Sequence, residues 1–224
     1  MKPMPWSYSA LSDFKNCPKA FHAKRVIKSV KEEESDQIIW GNKVHKAFEN
    51  RIHHARRTPL PSYLAEHEPF MQELESLAGT TYVERKIALN TRRQPCGFFD
   101  KNVWMRGVID VSNVYQDGAL LVDYKTGKPH SNFDQLKLFA LHTFAEFPRV
   151  DFVTVKFYWT KTLSENEDTY TRDQIPALWQ EFFPDLKQYV EAFKTDTWQA
   201  RPSGLCNGWC PVTSCEHWKP KRRG

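Results

Sequence analysis

Leu120-Leu-Val-Asp-Tyr-Lys-Thr-Gly-Lys128 is the stretch on which the reading of this chain turns. Three apolar residues carry Asp123 and Lys125 to the end of a buried strand, and Thr126-Gly127 turns the chain directly afterwards. Side chains alternate along a strand, so Asp123 and Lys125 share one face and Tyr124 takes the other. Upstream, Met105-Arg-Gly-Val-Ile-Asp-Val111 reads as a second strand that brings Asp110 to meet Asp123 across the sheet. Two carboxylates and a lysine are enough to hold a hard divalent cation and to activate water. The same Asp-x-Lys also reads as a surface ion pair at a strand end.

Around this stretch the texture is that of a sheet. Tyr82 to Leu89, Val103 to Val114 and Ala119 to Tyr124 form an antiparallel meander, and Asp151 to Trp159, rich in β-branched and aromatic residues, is a further strand. Between them, Asn132 to Phe147 repeats apolar residues at helical spacing until Pro148. Towards the amino end, a short helix capped by Ser7 or Ser9 runs to Cys17-Pro18. After the charged break Lys31-Glu-Glu-Glu34, a helix covers Ile38 to Arg57 with His45 inside it, and another covers Tyr63 to Leu77. Ile175 to Thr195 is a long amphipathic helix, interrupted or restarted at Pro184. The remainder, Arg201 to Trp218, has too many turn formers for a helix and too many cysteines for a plain loop.

With 224 residues, 40% hydrophobic and 14% aromatic, the chain can bury a proper core, which excludes a disordered protein. The net charge of +5 permits a polyanionic partner without proving one. No run approaches the length of a membrane span and the amino end lacks an apolar signal-peptide core, so a cytoplasmic protein, bacterial or phage-encoded, is expected. In a reducing compartment the 5 Cys, one early, one middle and three late, argue for ligands or buried thiols rather than disulfides.

The order of these motifs resembles the PD-(D/E)XK nuclease superfamily: a helix, a meander carrying Gly107-Val-Ile-Asp110 and Val122-Asp-Tyr-Lys-Thr-Gly-Lys128, then a helix opening with Asp134-Gln135. Within it the likeness is to the RecB-like branch, with its CRISPR adaptation nucleases and AddB-type iron-sulfur nuclease domains, and it runs from about Ser7 to Trp218. The resemblance implies an α/β restriction-endonuclease-like core, a mixed sheet flanked by helices. Residues 1–78 would be a helical lobe, 79–198 the core and 199–224 a cysteine-rich segment packed with Cys17, all in one nuclease domain.

The resemblance also implies roles. Asp110, Asp123, Lys125 and Gln135 match the catalytic positions, and His45, in Gly41-Asn-Lys-Val-His45, matches a histidine ligand. The metal shell would be His45, Asp110, Asp123 and the carbonyl of Tyr124, holding magnesium or manganese. Such a cation lowers the pKa of water towards neutrality, and Lys125 would orient the nucleophile and stabilise charge on the phosphate. Glu84 resembles a glutamate on the family's first strand, and a salt bridge with Arg85 or Lys86 explains it equally well. Gln135 begins a Gln-x-x-x-Tyr pattern that ends here in Phe139, which drops one donor and leaves stacking open.

Cys17, Cys206, Cys210 and Cys215 match the four ligands of a [4Fe–4S] cluster, with structural zinc as the alternative, although the late trio reads C-x3-C-x4-C rather than the branch's C-x2-C-x5-C. Cys96 lies outside that pattern. Lys128, Arg106, Lys137, Lys161 and the tail Lys219 to Arg223 are candidates for phosphates, and Trp6, Tyr8, Trp159 and Trp209 for unpaired bases. The implied activity is a metal-dependent DNA exonuclease acting on single strands or DNA ends in recombination, repair or phage DNA processing. Its partners would be DNA and a separate helicase, recombinase or single-strand-binding protein. The alternative is a catalytically weak or inactive DNA-binding or assembly subunit of a recombination complex.

Overall fold

Alternating apolar residues in the middle of the chain build one five-stranded sheet in the order β1-β2-β3-β4-β5. The computed structural model describes residues 1–31 and 34–220. Its strands are β1 (Thr80–Asn90), β2 (Val103–Tyr115), β3 (Gly118–Lys125), β4 (Phe152–Trp159) and β5 (Ser164–Thr171). β1, β2 and β3 form the expected antiparallel meander, and β4 pairs β3 in parallel. Parallel pairing needs a crossover, supplied by α5 (Asp134–Glu146), so the sheet is mixed.

β5 pairs antiparallel with β4 and escapes the hydrophobic pattern. Its sequence, Ser-Glu-Asn-Glu-Asp-Thr-Tyr-Thr, is polar and mostly exposed, with Tyr170 alone fully buried. It is an edge strand, held by backbone hydrogen bonds and ion pairs such as Lys156 to Glu165 at 2.5 Å.

Contacts divide the chain into two units, residues 34–179 and residues 1–33 with 180–224. In the larger unit, α3 (Asp36–Ile52) and α4 (Glu68–Ser76) pack Val44, Phe48, Ile52, Met71 and Leu74 against Val111, Val122 and Tyr124 of the sheet. The expected helix from Tyr63 opens as a 3-10 segment, Ser62–His67, which α4 continues. On α5, residues Leu136, Phe139, Ala140 and Phe144 are buried.

The smaller unit holds α1 (Tyr8–Asn16), α2 (Pro18–Phe21) and residues 180–195 of α6 (Ile175–Thr195). Ser7 caps α1 by accepting from Ala10 N at 3.2 Å. Helix α6 runs unbroken through Pro184. This unit's core is aromatic: Phe14, Phe21, Tyr189 and Phe193 meet edge to face, and Trp198 stacks on His22. Trp6 is fully buried here and Trp159 is buried in the larger unit, so neither can stack on a base. Lys221, Arg222 and Arg223 of the basic tail, and Glu32 and Glu33 of the charged break, lie outside the described residues.

Candidate active site

Register decides which acids meet. β1 and β2 pair Val83 with Val111 and Arg85 with Ile109, which sets Glu84 opposite Asp110. β2 and β3 pair Val111 with Val122, so the next step sets Asp110 opposite Asp123. Three carboxylates therefore stand side by side across three strands. Glu84 reaches its place with a φ of 49°, in the left-handed region where a side chain crowds the following carbonyl, at a cost of about 1–2 kcal/mol.

The neighbours of the row come from both flanking helices. α3 brings His45, whose Nδ1 lies 3.3 Å from Asp110 Oδ1, and the ring is set edge-on to Tyr124. α3 can come this close because residue 41 is glycine: a Cβ there would stand 3.2 Å from Thr126 Oγ1, in the turn after Lys125. From α5, Gln135 donates through Nε2 to Asp123 Oδ1 at 2.7 Å and accepts from Lys125 Nζ at 2.8 Å through Oε1. The Lys125 ammonium stands 2.6 Å from Asp123 Oδ2, closing a triangle of acid, amide and base. Gln135 is thus a clamp on the strand rather than a helix cap. Asp110 Oδ2 accepts from Tyr124 N at 2.7 Å, which ties β2 to β3 where the ladder ends.

Ligating atoms of His45, Glu84 and Asp110 lie within 4.8 Å of one another. Asp123 stands outside that group, its two oxygens turned to Gln135 and Lys125. Burial and then the Asp110 charge push the Glu84 carboxyl up to about 7, with His45 opposing. Burial likewise raises Asp123 above the usual carboxylate range, the Lys125 ammonium pulling against it. Burial alone would lower His45, but the hydrogen bond to Asp110 and the charges of Asp110, Asp123 and Glu84 outweigh it and raise it. Acids that resist ionisation beside an imidazole that favours its cation describe a site short of positive charge. An open depression lined by Gly41, Asn42, His45, Glu84, Asp110 and Thr126 gives access to it.

Glu84 is the residue that sequence reasoning left undecided, and the salt-bridge account of it fails. Arg85 pairs with Glu146, and Lys86 lies over the Phe98 and Phe99 rings. Phe139 also needs correction: it is 4% exposed, and a Cβ on Gly107 would come within 2.8 Å of its Cε1. The ring fills the gap a glycine leaves in β2, so it cannot stack on a base.

The smaller unit contains the second constellation. Cys17, Cys206, Cys210 and Cys215 are half-buried free thiols that line one small depression. Arg201 N donates to Cys17 Sγ at 3.4 Å and Ser203 N to Cys206 Sγ at 3.5 Å. Cys96 sits apart, in the β1–β2 connection, its thiol pushed up by burial.

Among the described residues, no helix is long and apolar enough to cross a membrane. No curated protein matches the chain. Two solved structures are similar in fold. "Putative exonuclease" from Eubacterium rectale is 11% identical with a TM-score of 0.54, the match covering 95% of this chain and 86% of that one. The protein SSO0001 is 11% identical with a TM-score of 0.50, over 97% of this chain and 88% of that one. The model of the PD-(D/E)XK nuclease superfamily matches residues 5–215. Because that match runs from before the first helix to the last cysteine, the chain belongs to the PD-(D/E)XK nuclease superfamily, whose chemistry is phosphodiester hydrolysis.

Proposed function

We propose that this protein is a metal-dependent deoxyribonuclease of the RecB-like kind, an exonuclease that trims single-stranded DNA or DNA ends in recombination, repair or phage DNA processing. The observation that carries the reading is the carboxylate row Glu84, Asp110 and Asp123, flanked by His45 and by a lysine held in place by Gln135. The donor set fits a divalent cation: hard oxygens supplemented by one imidazole, with two carboxyls raised, chiefly by burial, towards their neutral forms. His45, Glu84, Asp110, Asp123 and the Tyr124 carbonyl would hold magnesium or manganese. A bound cation lowers the pKa of water and neutralises phosphate charge.

The chain's own groups do the rest. Gln135 fixes the rotamers of Asp123 and Lys125 together, so neither searches for its position during the reaction. Lys125 donates to the attacking oxygen or to a non-bridging phosphate oxygen as negative charge grows there. His45 and Asp110 orient each other, and the Tyr124 N–H holds Asp110 in the rotamer that faces Glu84.

The four thiols of the smaller unit would hold a [4Fe–4S] cluster. Tetrahedral zinc at about 2.3 Å from each sulfur needs thiolates roughly 3.8 Å apart. Zinc on the same four thiolates is the alternative, and the four thiols line one depression in either case. Anaerobically purified protein is expected to carry iron and sulfide, and colourless protein containing zinc refutes this assignment.

The partners would be DNA and a separate helicase, recombinase or single-strand-binding protein, since the chain has no phosphate-cradling Gly-x-x-x-x-Gly-Lys loop of its own. The deciding experiment is digestion of end-labelled DNA strands, blocked at one end or the other, with magnesium and with manganese. Loss of mononucleotides or short fragments from a free end, abolished in Lys125→Ala, is the expected result. Equal inertness of both proteins would leave the non-catalytic DNA-binding subunit as the better reading.

A further inference from the structure

The connection between β1 and β2, residues 91–102, has no part in the site described above, yet it is built in detail. Asn90 Oδ1 accepts from Arg92 N at 2.8 Å and Gln94 N at 3.2 Å, Leu89 bridges Pro95, and Cys96 N donates to Ala88 O at 3.1 Å. At the tip, Asp100 N donates to Gly97 O at 3.0 Å while Asp100 Oδ2 accepts from Gly97 N at 2.8 Å. This closed turn holds Phe98 and Phe99 at its two central positions. Phe99 is 79% exposed, the most exposed large apolar side chain described. A turn pinned at both ends keeps that ring in water instead of letting it fold back.

Cations surround the rings. Lys86 Nζ lies 5.8 Å from the Phe98 centroid and 5.5 Å from that of Phe99, and the Arg106 guanidinium lies 5.4 Å from Phe98. Arg92 and Lys101 flank the turn. Among the described residues none of these four cations has a carboxylate partner, and the one acid of the tip, Asp100, is spent on the turn's own backbone. An exposed aromatic ring among unneutralised cations matches a flexible polyanion whose bases are free to stack, since cations track phosphates and rings take bases of any sequence. A duplex presents no unpaired base to such a ring, and an apolar peptide would leave the cations unanswered.

The position along the hairpin suits the chemistry. Glu84 and Asp110 face each other on β1 and β2, and the last paired rung, Asn90 with Val103, is six residues further on. From that rung the connection folds back along β1, through Leu89 with Pro95 and Cys96 N to Ala88 O, and Lys86, which lies over both rings, is two residues from Glu84. At about 3.3 Å per residue that is roughly 7 Å of strand from the carboxylate row, within reach of a strand only a few nucleotides long. Resting on the nuclease reading above, we propose that the Phe98-Phe99 turn, with Lys86 and Arg106, is a stacking platform for the unpaired bases of a single DNA strand whose end lies in the active site.

The test is binding of a fluorescein-labelled oligothymidylate, read by anisotropy with chelator present so that no cleavage intervenes, beside a blunt duplex of the same length. Phe99→Ala, which removes an exposed ring and leaves the fold intact, is expected to weaken single-strand binding about tenfold and to spare the duplex. Phe99→Trp should retain wild-type affinity. Replacing Lys86 and Arg106 by glutamine should flatten the salt dependence by one to two phosphate contacts. Unchanged affinity in Phe99→Ala, or equal losses on single strand and duplex, overturns the platform. Its failure is separable from that of the nuclease: cleavage by wild type with Phe99-independent binding rejects the platform alone, and Phe99-dependent binding without cleavage under any metal rejects the nuclease alone.

Discussion

Replacing Glu84 by glutamine is expected to make the metal-free protein more stable and the metal-loaded protein less so. Glu84 is forced beside Asp110, and its carboxyl rises from 4.5 to about 7. At 1.36 kcal/mol per unit that corresponds to roughly 3 kcal/mol, and solvent reaching a half-buried side chain reduces it to about 1–2 kcal/mol. The sign follows from which form the fold prefers. A carboxyl raised on folding favours the protonated state, so stability is complete below 4.5 and declines as pH climbs through about 7. In chelator, wild type should therefore melt lower at pH 8 than at pH 5. Glu84→Gln should melt roughly 2–6 °C above wild type at pH 8, with a shallower pH slope, the remainder coming from Asp123. Saturating manganese should reverse the order: ligand at a hundred times its dissociation constant adds about 2.7 kcal/mol to a protein with an intact site and less to one missing a donor. Differential scanning fluorimetry across pH, with and without metal, reads all four states. A variant that melts at or below wild type in chelator at pH 8, or that gains as much from manganese, refutes the carboxylate row as a cation site.

Other consequences are as direct. Lys125→Ala should lower the rate on labelled DNA about 100- to 1000-fold, because it removes a donor from the reacting phosphate, and should also lower the melting temperature by a few degrees, because buried Asp123 loses its ammonium partner; near-wild-type turnover would exclude Lys125 from the chemistry. Gln135→Leu, which frees Asp123 and Lys125 from their shared clamp, should reduce kcat while sparing DNA affinity; a change confined to affinity would assign Gln135 to substrate instead. Gly107→Ala places a methyl against the Phe139 ring and should cost about 1–3 kcal/mol by chemical denaturation, and combining it with Phe139→Leu should recover part of that loss. Burial first, then the Arg85 charge, holds His142 down to about 3, so folding excludes a proton that the unfolded chain takes up below 6.5. Stability should fall by up to about 1.4 kcal/mol per unit as pH drops from 6.5 towards 4, and His142→Leu should remove that part of the slope.

Much of the sheet was legible because its central strands are buried on both faces and read as continuous apolar runs ending in charge. Asp110, Asp123 and Lys125 stand at those ends, and the alternation that separates Asp123 from Tyr124 needs only the strand's period of two. Glu84 was visible in the sequence but undecided, since its meeting with Asp110 depends on register and on one left-handed residue, neither of which leaves a compositional trace. Gln135 was visible by position but not by partner: the fifth helix must cross back over the sheet before its second residue can reach β3. β5 was missed because an edge strand draws its stability from the neighbour's backbone, leaving its side chains free to be Glu165, Asn166 and Glu167. The buried Trp6 and Trp159 were offered as base-stacking candidates because an indole that fills a core is indistinguishable, in sequence, from one that waits for a ligand.

The discontinuity of the smaller unit bears on how the protein is made. Cys17 leaves the ribosome 189 positions before Cys206 (206 minus 17), and the whole of residues 34–179 is synthesised in between. At roughly 5–20 residues per second, that interval is about 10–40 s, long enough for the sheet to form first while the leading helices wait for α6 and the last cysteines. Any group the four thiols hold is therefore inserted at the end of biogenesis, and a stalled ribosome from which the chain has emerged as far as residue 180 should carry a folded sheet beside an incomplete amino-terminal segment. Limited proteolysis of such stalled chains would display that order of maturation.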